Sequence, residues 1–250
     1  MSKDLSSILS GWDYDPNEVP VRRVLGLDGR EKIQLRLDLG VLQMELDGRP
    51  DGRRPQGHTT LLDYYASREE LLGDDFELDS DACSDLRSEA MQFYHRYLSL
   101  FHLGDYLNVI RDTKHNLRIF DMVRAHAEDP SDRTAMEQYR PYVLMMNTRA
   151  RACLSIEERD FDRALAQIET GISQIEEFLR EVERDDLVDS CREIVFLREW
   201  SERIQDNRPL SREEQLRREL KSAVESENYE RAAQLRDELR GMGEMRGVVV

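Results

Sequence analysis

The sequence predicts a mainly α chain: a helical body, a small antiparallel β element ahead of it, and a helical hairpin behind it. Three observations carry this. Charged residues are 35% of the 250 and aromatics 7%, a balance common in helix-rich chains. Apolar residues recur at three- and four-residue steps from Cys83 onward. Only between Val19 and Leu46 does the period fall to two.

Residues 1–18 are polar and are expected to form a flexible N-terminus, with Trp12 and Tyr14 as docking points. The segment 19–66 reads as the β element. Val21, Val24 and Leu27 run into Asp28-Gly29, a hairpin turn signal. Ile33, Leu35, Leu37 and Leu39 then alternate with Gln34, Arg36 and Asp38, and the alternation resumes at Leu42, Met44 and Leu46. Two or three strands follow, with one face buried and one wet. The loop 48–57 holds three Gly and two Pro and cannot be regular.

The body is expected over 67–206. Ser67-Arg-Glu-Glu70 looks like a capping box opening a short helix. Glu69 to Asp81 carries seven carboxylates and no base, and reads as a solvated connection that borders the β element. Cys83, Leu86, Ala90, Phe93, Tyr97 and Phe101 form one helical stripe. Tyr106, Val109, Ile110, Thr113, Leu117 and Phe120 form a second, and Gly104-Asp105 between them predicts a helical hairpin. Asp129-Pro130-Ser131 starts a further segment, with a capping box at Thr134–Glu137 and a kink or restart at Pro141. Phe161, Ala164, Leu165, Ile168, Ile172, Ile175, Leu179 and Val182 make the cleanest stripe. A last long helix is expected near Leu187, Cys191, Ile194, Val195 and Ile204.

One pattern recurs. Gly104-Asp105-Tyr106, Arg159-Asp160-Phe161 and Glu227-Asn228-Tyr229 each place an aromatic after a polar turn, with small or apolar residues at i+3 and i+4. The first two resemble the turn between the paired helices of tetratricopeptide (TPR) repeats, which implies TPR-like helical pairs in the body.

After the linker Asn207–Leu210, Ser211-Arg-Glu-Glu214 offers another capping box. Leu216, Leu220, Ala223 and Val224 share one helical face, and Ser226–Asn228 breaks the run. Tyr229, Ala232, Ala233, Leu235 and Leu239 continue on a second helix, so 207–242 reads as a hairpin, with 243–250 as a tail. Lys221 with Glu225, and Glu227 with Arg231, sit at helical pairing distance.

Leu216 to Met242 resembles the UVR motif of the excision-repair proteins UvrB and UvrC. The acidic turn, Tyr229, Glu230, Ala232-Ala233 and Leu235-Arg236-Asp237 fall in that family's order. The motif also occurs in the activator of a bacterial protein-arginine kinase and in some protease-associated chaperones. Nothing upstream resembles the catalytic or zinc-binding parts of those proteins. The resemblance implies a non-enzymatic adaptor whose hairpin binds a UVR-bearing partner or a second copy of itself. Its partner-binding residues would be Leu216, Leu220, Val224, Tyr229, Ala232, Ala233, Leu235, Arg236, Asp237 and Leu239. An accessory role in nucleotide excision repair is the alternative.

Other classes find less support. The net charge of −16 repels nucleic-acid phosphates, so direct nucleic-acid binding is not expected. No apolar run approaches the roughly 18 residues a membrane span needs, and the N-terminus lacks a secretory apolar core, so a cytoplasmic protein is expected. Cys83, Cys153 and Cys191 read as buried thiols. His58, His95, His102, His115 and His126 show no metal-ligand spacing, and no cofactor motif occurs. A further alternative is a phosphate-ligand binder or enzyme using loop 48–57, with Arg49, Arg53 and Arg54 holding the anion unless Glu45, Asp47 and Asp51 pair with them.

Overall fold

The computed structural model describes the backbone of residues 4–209 and 212–246. The chain divides into two compact units, one ending at Glu202 and the other beginning at Arg203.

The first unit opens with one helical turn, α1 (Ser6–Leu9), and a three-stranded antiparallel sheet, β1 (Val21–Leu25), β2 (Glu31–Leu37) and β3 (Gly40–Glu45), in the order β1-β2-β3. The Asp28-Gly29 turn forms as expected, with Gly29 at φ +75°. Ile33 pairs with Met44 and Leu35 with Leu42. Ile33, Leu35 and Met44 are buried. Leu39 does not continue the strand. It sits in the β2–β3 turn and is 91% exposed, because the tight pairing of Leu37 with Gly40 leaves only two residues for the reversal.

The face expected to be wet is covered. Lys32 and Gln34 are buried on it, and Gln34 bonds Arg22 and Gln43 at 2.9 Å each. Residues before the sheet lie over this face. The Arg22 guanidinium stands 3.8 Å from the Trp12 ring centroid and donates to the Ile8 carbonyl at 3.0 Å. Arg36 donates to the Trp12 carbonyl at 3.3 Å. Polar strand residues can be buried here because each finds a partner.

Helix α2 (Leu61–Leu72) begins earlier than the Ser67 capping box predicts. Thr60 caps it, accepting from the Asp63 amide at 3.1 Å, while Ser67 donates to the Tyr64 carbonyl in mid-helix. Leu61 and Leu62 enter the core, and that packing sets the start. The acidic stretch is also more than a solvated connection. Phe76 and Leu78 are buried between its carboxylates, and Leu78 makes a strand-like bridge to Ala127.

Four long helices follow: α3 (Ser80–His102), α4 (Tyr106–His126), α6 (Arg140–Glu157) and α7 (Phe161–Glu181), with the short α5 (Pro130–Ala135) between α4 and α6. They pack in sequence order, α3 on α4, α4 on α6 and α6 on α7. The expected stripes form the core: Cys83, Leu86 and Ala90 of α3 meet Ile119, Phe120 and Val123 of α4. Both hairpin turns have one geometry. Gly104 and Arg159 take φ +73° and +60°, and Asp105 and Asp160 then cap the next helix.

Thr134 does not open a helix. Asp129 caps α5, and Glu137 is held by Arg140 at 2.6 and 2.8 Å rather than by Thr134. Pro141 marks a restart, lying in the first turn of α6. Leu187 falls in a 3-10 stretch (Asp185–Ser190), and α8 (Arg192–Asn207) starts only after Cys191. The second unit contains α9 (Arg212–Glu225) and α10 (Tyr229–Arg246). The Ser211 capping box and the end of the tail, 247–250, lie outside the described residues.

Candidate functional site

The two C-terminal helices pair through a defined turn. Glu227 takes φ +56°, the amide of Asn228 donates to the Ala223 carbonyl at 2.8 Å, and the Asn228 side chain accepts from the Arg231 amide at 3.2 Å. This is the body's hairpin turn again, with Asn in place of Asp. It satisfies carbonyls at the end of α9 and an amide at the start of α10.

Leu216, Ala223, Ala232 and Leu235 are buried in one cluster, with Leu220 and Leu239 half-buried against it. Alanine at 223 and 232 lets the helices approach closely. Leu216, Ala232 and Leu235 are expected on a partner-facing stripe. They face inward instead, because a hairpin with so few large apolar residues closes on them first.

Other expected residues are outward. Val224 is 51% and Tyr229 68% exposed, and Ala233, Arg236 and Asp237 are exposed as well. Tyr229, Ala233, Arg236 and Asp237 stand at i, i+4, i+7 and i+8, one face of α10. Arg236 and Asp237 pair at 3.5 Å. Lys221 reaches Glu225 at 3.9 Å. Arg231 crosses to Glu219 of α9 at 3.1 Å instead of meeting Glu227. These exposed pairs are worth a few tenths of a kcal/mol each, about 0.3. Segment 211–240 holds seven basic and eight acidic residues, nearly neutral in a chain of −16.

In loop 48–57, Arg49 and Arg53 have carboxylate neighbours. Arg49 lies 3.4 Å from both Asp51 and Glu89, and Arg53, 83% exposed, lies 3.9 Å from Asp51. Arg54 is exposed. Of the nearby carboxylates, Asp51 pairs as expected, while Glu45 takes Lys32 and Asp47 takes Arg111. Glu45 and Asp47 line the same cleft as the three arginines, so the cleft has mixed charge.

The groups that anchor this loop are not among the residues its sequence pattern singles out. Arg96 is fully buried, bonds Asp112 at 2.6 and 2.9 Å, and donates to the carbonyls of Glu45 and Gly48. Glu89 accepts from the amides of Leu61 and Leu62 at 2.8 and 3.1 Å and from His115 at 3.1 Å. The available signal was a charge set inside an apolar stripe: Arg96 between Phe93 and Leu100.

Cys83 is buried, Cys153 and Cys191 are half-buried, and all three are free thiols. Burial pushes the Cys83 thiol up to about 11. Among the described residues no group of three or more His, Cys, Asp or Glu is placed to hold a metal ion. No helix of the described residues is long and apolar enough to cross a membrane.

Residues 214–244 match the family model of the UvrB/uvrC motif. The rest of the chain has no family assignment. No curated protein and no solved structure matches the chain.

Proposed function

We propose that this protein is a non-enzymatic adaptor whose C-terminal hairpin recruits a UVR-bearing partner or a second copy of the chain. The observation that carries the reading is the outer face of that hairpin. Its inner residues satisfy one another, yet Val224, Tyr229 and Ala233 remain uncovered beside Arg236 and Asp237. Leu220 and Leu239, half-buried, border the same helices and would be covered further on association. Exposed aromatic and apolar side chains next to a charged pair suit an interface in which Tyr229 anchors and the charges set the choice of partner. Near-neutrality of the hairpin lets it approach an acidic partner with little repulsion.

Affinity purification of the full chain, with and without residues 208–250, tests this. The shortened chain should keep its fold and lose the partner. A partner retained without those residues would refute the adaptor reading.

A second reading, accessory contact with excision-repair proteins, draws on the motif's place in UvrB and UvrC. It predicts binding to one of those proteins, through the same hairpin and without DNA.

A further inference from the structure

A cleft of about 270 Å³ lies between the β1–β2 turn and the loop that follows β3. Arg30 of the turn and Arg53 and Arg54 of the loop line it, with Gly48, Gly52 and Thr59. All three arginines are exposed, so their N–H donors are open to a ligand.

The carboxylates around the cleft are already engaged. Glu45 and Asp47 also line it, but Glu45 takes Lys32, and Asp47 takes Arg111 at 2.9 Å. Asp28 is shared between Arg30 at 3.1 Å and Lys32 at 3.0 Å. Asp51 is shared between Arg49 at 3.4 Å and Arg53 at 3.9 Å. Glu89 is shared between Arg49 at 3.4 Å and His115 at 3.1 Å. Arg54 makes no ion pair among the described residues. Six lysines and arginines thus meet five carboxylates here, in a chain that has 36 and 52. The surplus falls on Arg54, unpaired, and on Arg53 beside it, held only at 3.9 Å.

The loop that carries them is fixed from beneath. Buried Arg96 donates to the carbonyls of Glu45 at 3.1 Å and Gly48 at 2.7 Å, and Arg111 donates to that of Leu46 at 2.9 Å. The Glu45 amide donates to the Pro50 carbonyl at 2.8 Å, and the Arg53 amide to Asp51 Oδ1 at 3.0 Å. Gly48 and Gly52 take φ +66° and +73°, which this path requires. A backbone ordered in advance lowers the cost of binding.

Charge and size narrow the choice of ligand. A carboxylate offers two oxygens, which one guanidinium fork exhausts. A phosphate monoester offers three terminal oxygens and a charge of about −1.5 to −2 at pH 7, enough for two forks. A nucleic acid would meet the repulsion of the acidic chain at many phosphates, whereas a single phosphate meets only the local surplus. The volume lies just under the range of drug-sized sites, roughly 300–1,000 Å³, and suits a short carbon skeleton.

We propose that this cleft binds a small phosphate monoester, its phosphate held by Arg53 and Arg54 with Arg30 across the mouth. The site is independent of the C-terminal hairpin.

Calorimetric titration of the full chain at neutral pH tests this with two probes: glycerol 3-phosphate, a monoester, and dimethyl phosphate, a diester with a single charge. Glycerol 3-phosphate should bind with a Kd near or below about 1 mM. Dimethyl phosphate should bind at least about tenfold more weakly. Arg53→Ala with Arg54→Ala changes only exposed side chains and should weaken the monoester at least about tenfold. Arg163→Ala with Arg180→Ala removes the same charge from exposed positions of α7 and should leave its binding unchanged. Absence of glycerol 3-phosphate binding would overturn the proposal. So would a diester bound as tightly as the monoester, binding undiminished in the loop variant, or an equal loss in the α7 variant.

Discussion

A guanidinium with no access to water must find all its partners inside the protein, and Arg96 finds Asp112, two loop carbonyls and the Phe93 ring at 4.6 Å. Truncating it leaves the buried Asp112 carboxylate with Arg111 alone, at 2.8 Å. Arg96→Ala should cost about 3–5 kcal/mol in chemical denaturation, and pairing it with Asp112→Leu should recover part of that loss. Glu89 offers a pH test. Burial alone would raise its pKa, but His115 and the amides of Leu61 and Leu62 outweigh burial and hold it below the ordinary 4.5. The folded state therefore takes up this proton less readily than the unfolded chain. The stability Glu89 contributes is complete above the ordinary value and is lost as pH falls through the folded one. Glu89→Gln should flatten the acid limb of a stability-versus-pH profile and destabilise by about 3 kcal/mol at neutral pH. An acid limb as steep as that of the unaltered chain would contradict this. Neither residue's role was legible in the sequence. A charge on an apolar stripe signals a buried pair, but its partner lies on another helix and only the fold brings them together.

At the scale of the element, local turn chemistry decided more than capping boxes did. The three helical hairpins share a left-handed residue, an Asp or Asn cap and an aromatic, and all three were readable from sequence. The boxes at Ser67 and Thr134 were not starts, because Thr60 and Asp129 had already capped those helices. At the first the packing of Leu61-Leu62 decided the matter, which is tertiary, and at the second Glu137 is taken by Arg140 three residues on. Gly171 shows the same limit. It sits inside α7, where a Cβ would collide with the Thr148 side chain of α6, so a helix-interior glycine marks a close crossing. Gly171→Ala should destabilise the first unit by about 1–3 kcal/mol, measured by thermal or urea unfolding. In the second unit, Leu235→Ala removes the most buried side chain of a small core and should melt the hairpin, a cost of roughly 2–5 kcal/mol. Far-UV circular dichroism should show the loss of α9 and α10 with the unfolding midpoint of the body unchanged.

At the scale of the molecule, charge and apolar surface are distributed unequally. Nearly all of the −16 lies outside segment 211–240. The helical class, the N-terminal sheet and the C-terminal hairpin were legible because each rests on a local period. Which side of the hairpin faces out was not. Leucines and alanines at i and i+4 fit an inner seam and an outer stripe equally well, and only pairing of the two helices separates Leu216 and Leu235 from Tyr229 and Ala233.

That separation gives the most direct test. Tyr229→Glu with Ala233→Glu alters the outer face of α10 and leaves the inner cluster intact. Co-purification of the partner with the full chain should fall at least about tenfold, with the helical dichroism unchanged. Partner capture undiminished by the two glutamates would contradict the account.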